Sequence, residues 1–82
     1  MTIGELKAEL RAILAAEEQS PPDWQQVEAR SLRTIERLGT EAQPSYPHDV
    51  VYQFLDDADV RQKSADYGEG QRQRVRQWLE AS

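Results

Sequence analysis

The chain has 82 residues, a net charge of −5 and no cysteine. That length allows one domain with one modest core, and the missing cysteines exclude a disulfide scaffold and a cysteine-ligated zinc site. No apolar run approaches a membrane span, and the first residues carry acid where a signal peptide carries base, so the expectation is a cytoplasmic protein with no membrane contact.

Thr2-Ile3-Gly4-Glu5 matches the capping box, in which a hydroxyl and a carboxylate each satisfy an orphan backbone N–H. Behind it, Ile3, Leu6, Leu10, Ile13 and Leu14 recur at helical spacing, and alanines at 8, 12, 15 and 16 permit close approach by a neighbour. The pattern predicts a helix over 3–18.

Ser20-Pro21-Pro22-Asp23 stops that helix and starts another, with Pro21 suited to the first position after a Ser20 cap and Asp23 completing a partial capping box. Trp24, Val27, Leu32, Ile35 and Leu38 form the second apolar face, which Ser31 and Thr34 interrupt. Gly39 stands where a glycine in the left-handed conformation closes a helix. A helix over 21–38, antiparallel to the first, is expected. A polar linker over 40–45 follows.

The densest apolar stretch runs over 45–60, with Val50, Val51, Phe54, Leu55 and Ala58 on one helical stripe. Pro47 suits its first turn, Ser45 or Tyr46 its cap, and Asp49 the positive end of the helix dipole. Asp56, Asp57 and Asp59 oppose a continuing helix C-terminus, which predicts a break there and a second short turn over 60–63 capped by Asp56 or Asp57. Turn composition predicts a loop over 64–68 and a last helix beginning at 68–70 and reaching residue 80. That helix has a thin apolar side of Val75, Trp78 and Leu79.

Asp57 and Asp59 fit the first two alternate positions of an EF-hand loop, but Arg61 occupies the third, and the glycine and terminal glutamate are missing. Val60 stands where a D-D-x-x-D motif needs its last aspartate. Capping and solvation account for the acids without a metal. His48 and Asp49, being adjacent, do not face each other on a helix. No cysteine or glycine-elbow serine offers a nucleophile. No catalytic, cofactor or metal site is therefore expected, and the chain does not read as an enzyme.

Two surfaces remain. Arg30, Arg33 and Arg37 form a stripe on the second helix, and Arg72 with Arg76 form a pair on the last. Aligned, they offer a surface for phosphates or an acidic partner. Glu36 and Glu69 stand close enough to neutralise Arg33 and Arg72 locally. Tyr46, Tyr52 and Tyr67 are candidate partner-facing aromatics, with Tyr52 off the apolar stripe. Charge is also segregated: residues 41–60 hold five acids and no Lys or Arg, and residues 61–82 hold five bases against three acids. The reading is an all-α bundle of about four helices, the third short and broken near Asp56–Asp59. The expected function is that of a non-catalytic protein–protein interaction or regulatory accessory module with a protein partner or a second copy. The alternative is a nucleic-acid-associated regulator acting through the arginine stripes.

Overall fold

Helix α1 (Ile3–Glu17) begins at its capping box in the computed structural model of the chain, which describes residues 1–41 and 44–81. Thr2 Oγ1 accepts from Glu5 N at 3.1 Å, and Glu5 Oε1 accepts from Thr2 N at 3.0 Å. The apolar stripe behind the cap buries Leu6, Leu10, Ile13 and Leu14, with Ala16 and Glu17 at its end.

Helix α2 spans Trp24–Thr40, starting later and ending later than its sequence suggests. Asp23, not Ser20, is the N-cap, its Oδ1 accepting from Gln26 N at 3.2 Å. The cause is Pro22, because a residue before proline is pushed out of the α region and Pro21 cannot open a helix there. At the other end Gly39 stays helical, and no described glycine has positive φ. The last turn is held by the Thr40 hydroxyl donating to Glu36 O at 3.0 Å and by an Arg37–Glu41 ion pair at 2.9 Å.

The face that α2 buries also differs. Val27, Ser31, Thr34 and Leu38 point inward, whereas Leu32 is 62% exposed. At 100° per residue, Leu32 lies about 140° around the helix from Val27, so the two cannot share one narrow seam. Small Ser31 and Thr34 are therefore part of the seam rather than interruptions of it. The Thr34 hydroxyl donates to Arg30 O at 2.8 Å, and Ser31 Oγ is buried without a hydrogen-bond partner among the described residues.

Of the expected linker over 40–45, residues 42 and 43 lie outside the described residues. Helix α3 (His48–Asp56) takes Pro47 itself as N-cap, in place of Ser45 or Tyr46, and has no side-chain cap bond. Proline holds Tyr46 extended and leaves its own residue as the half-helical one. The break falls at Asp57, and α4 covers Ala58–Lys63. Asp57 is the shared cap, but its carboxylate reaches across to α5 instead of capping α4.

The expected loop over 64–68 shrinks to Ser64, and α5 runs over Ala65–Ala81. Ser64 Oγ accepts from Tyr67 N at 3.4 Å. Gly68 is buried at the α4–α5 crossing, where an added Cβ would lie 3.3 Å from Arg61 Cβ. Its bare backbone is what lets the two helices close, so the glycine serves packing and not a turn.

α1 packs on α2 and α5, α2 packs on α3 and α4, and both α3 and α4 lean on α5. Leu6, Leu10, Ile13, Val27, Leu38, Val51, Phe54 and Val75 are fully buried where these helices meet. Each such side chain stabilises the fold by about 1.5–3 kcal/mol relative to exposure. Among the described residues there is no strand, and no helix is long and apolar enough to cross a membrane.

A polar centre runs through this core. Arg61 is 2% exposed, with its guanidinium 3.9 Å from the Phe54 ring centroid. It donates to Glu17 through Nε (2.9 Å) and Nη2 (2.8 Å), and through Nη1 to Gln71 Oε1 (2.9 Å) and to Phe54 O. Arg72 brings a second guanidinium to Glu17 at 3.0 Å. On the far side, Gln71 Nε2 donates to Asp57 Oδ2 at 3.1 Å, and the Tyr67 hydroxyl donates to the same oxygen at 2.6 Å. Helices α1, α4 and α5 and the α3–α4 corner are thereby tied by one hydrogen-bonded network, in which each buried charge has a partner.

Candidate functional site

The outward face of α2 is formed by residues at i, i+4 and i+7: Glu28, Leu32 and Ile35. Opposite them the α3–α4 corner brings Leu55, Asp56, Ala58 and Asp59. Between the two lies a groove of about 200 Å³. Its floor is apolar, with Leu55 and Ala58 buried, and Leu32 stands open to solvent along one wall. Its rim is acidic. Glu28, Asp56 and Asp59 are exposed and form no ion pair or side-chain hydrogen bond among the described residues.

Several arginines, by contrast, are held in ion pairs. Arg30 of α2 pairs with Glu9 of α1 at 3.2 Å, and Arg37 with Glu5 at 2.8 Å and Glu41 at 2.9 Å. Arg72 pairs with Glu17 at 3.0 Å and Glu69 at 3.4 Å, and Arg76 with Glu18 and Glu69. Arg30 and Arg37 of one row and Arg72 and Arg76 of the other thus each reach a carboxylate of α1 or of its C-cap Glu18. Arg33 stands apart, exposed and without an ion pair among the described residues. Arg37 and the helix N-cap hold the Glu5 carboxyl down at about 2, and Arg37 together with the Met1 amino group does the same for Glu41.

The candidate aromatics separate into two places. Tyr46, His48 and Tyr52 stack, with ring centroids 4.5 Å apart for Tyr46–His48 and 5.6 Å for His48–Tyr52. Burial beside the Tyr52 hydroxyl pushes the Tyr46 phenol up to about 12. Tyr67 is outside this stack. It is 43% exposed and bound to Asp57, whose carboxylate raises the Tyr67 phenol.

Sequence reasoning did not find the groove, since its walls come from residues 28–35 and 55–59 and meet only when α2 docks on α3 and α4. One signal was available. Leu32 lies at i+4 from Glu28 but not on the Val27–Thr34–Leu38 seam, so a large aliphatic side chain was left over on the outer face. Among the described residues no group of three or more His, Asp or Glu side chains converges as a metal site.

These observations define a small all-α bundle with an open apolar groove between α2 and the α3–α4 corner. The chain matches no family model, no curated protein and no solved structure with which it was compared.

Proposed function

We propose that this chain is a non-catalytic protein–protein interaction module, and that its docking face is the α2/α3–α4 groove. The observation that carries the reading is Leu32, 62% exposed over an apolar floor and more open than Ile3, Val60 or Tyr67, the other exposed large apolar side chains. Large exposed apolar residues grouped over a concave surface and ringed by polar ones are what interaction sites present. The Tyr46–His48–Tyr52 stack supplies a second, aromatic edge at the start of helix α3.

The test uses the tagged chain as bait in a cell lysate, with a nuclease-treated control, against Leu32→Ser and Tyr52→Ala baits. Protein partners that survive nuclease and are depleted at least about tenfold by Leu32→Ser are expected. Recovery of nucleic acid alone, or of proteins lost on nuclease treatment, would move the function to the arginine rows instead.

A further inference from the structure

The groove also carries information about what it receives. Its apolar floor favours an apolar side chain, and its volume of about 200 Å³ suits one or two large aliphatic or aromatic groups. Its three rim carboxylates form no ion pair among the described residues, whereas Arg30, Arg37, Arg61, Arg72 and Arg76 are each paired with other acids. Unpaired acid around an apolar slot selects cations flanking an apolar anchor.

Resting on the interaction-module reading above, we propose that the partner is a basic amphipathic helical segment of another protein. It lays one or two large apolar side chains over Leu32, Ile35, Leu55 and Ala58 and sets Lys or Arg side chains against Glu28, Asp56 and Asp59. The mode is a helix in a groove, because no sheet edge is present among the described residues to accept an extended strand. A second copy of this chain is a poorer occupant. A two-fold contact through this face would bring Glu28, Asp56 and Asp59 of one copy against the same acids of the other, with no cation among the groove's lining residues to offset them. The chain's net charge of −5 works in the same direction.

The experiment is a display selection of random peptides of roughly 16 residues, long enough for four helical turns, on the immobilised full chain. The enriched peptides are then synthesised and titrated by fluorescence anisotropy against wild type, Leu32→Ser and Asp56→Lys/Asp59→Lys. Each variant is first shown by circular dichroism to melt within a few degrees of wild type. The expected result is enrichment of Lys/Arg-rich sequences with large aliphatic or aromatic residues at helical spacing. Binding should weaken at least about tenfold in both variants and fall with added salt.

Acidic or uncharged enriched peptides would overturn the basic-segment assignment and leave the interaction module standing. Basic peptides that bind Leu32→Ser as tightly as wild type would overturn the groove. A concentration-dependent dimer abolished by Leu32→Ser, with no peptide enriched, would identify a second copy and overturn the proposal. Failure to enrich peptides, with no dimer and no nuclease-resistant partner, would overturn both readings together.

Discussion

Arg61 of α4 and Glu17 of α1 meet inside the bundle with neither side chain reaching solvent, 2.8 Å apart. Removing one partner of such a pair strands a buried charge. The two removals are not equivalent here, because Arg72 lies 3.0 Å from Glu17 and remains as its counterion when Arg61 is gone. Glu17→Leu, which leaves the enclosed Arg61 without an acid, is expected to cost about 3–5 kcal/mol, and Arg61→Met less. Glu17→Leu/Arg61→Met together should cost less than the sum of the two. Urea unfolding of the three variants checks this, and strict additivity would mean that the pair is not energetically coupled.

Two glycines in α5 make opposite predictions from the same substitution. Gly70 has nothing within reach of an added Cβ, so Gly70→Ala should gain about 0.5–1 kcal/mol from helix propensity. At Gly68 the new methyl would meet Arg72 Nη1 at 3.0 Å and Arg61 Cβ at 3.3 Å. Arg61 is held on four sides and cannot retreat, so Gly68→Ala should lose the propensity gain and lower the melting temperature. Equal stabilisation by both alanines would show that the α4–α5 crossing has slack.

Ser31 buries a hydroxyl oxygen that has no hydrogen-bond partner among the described residues. Ser31→Ala removes an unsatisfied polar atom, changes little volume and improves helix propensity, so a gain of about 0.5–1.5 kcal/mol is expected. A loss on thermal melting would mean that the hydroxyl is bonded in solution, for instance through an enclosed water.

Acid should loosen the α1–α2 seam in a defined window. The Glu5 and Glu41 carboxyls are lowered from 4.5 to about 2 in the folded chain, chiefly by Arg37. A group with a depressed folded pKa contributes stability that is present above its unfolded value and is lost as pH falls through the folded one. The contribution should therefore fade between pH 4.5 and about 2. Arg37→Gln should lower the urea midpoint at neutral pH, and the gap to wild type should close towards pH 2. Both acids are exposed, so added salt should narrow that gap as well. A gap independent of pH would assign Arg37 a packing role only.

Much of this architecture was legible from local chemistry. The Thr2–Glu5 box and the stripe behind it define α1, and three aspartates at a helix C-terminus define the Asp57 break, because both depend on residues a turn apart. Apart from the caps that Pro22 and Pro47 shift locally, what was not legible depends on distant partners. Leu32 and Thr34 exchange their expected places because the α1–α2 seam needs small side chains. Gly68 reads as a turn until Arg61 supplies a reason for a bare backbone in a helix, whereas nothing near Gly70 requires its glycine.

The buried pair itself was half-written in the sequence. Arg61 continues the Phe54–Ala58 stripe, and Glu17 continues the Ile13–Leu14 stripe, so two opposite charges stood on core positions. The groove had no such signature, since neither wall implies the other.

One-residue corners at Asp57 and Ser64 leave residues 48–81 as three helices in near-continuous succession, free to associate from neighbours in the chain. Glu17 reaches Arg61 across 44 positions of sequence, and only once α1 has docked. Contacts between near neighbours close quickly, and those across long separations close late. An interaction absent from the transition state acts on the rate of leaving the native state. In stopped-flow experiments Glu17→Leu should accordingly speed unfolding while leaving the refolding rate nearly unchanged. The enclosed charge then works as a latch that sets the lifetime of the native bundle, not as a guide to its assembly.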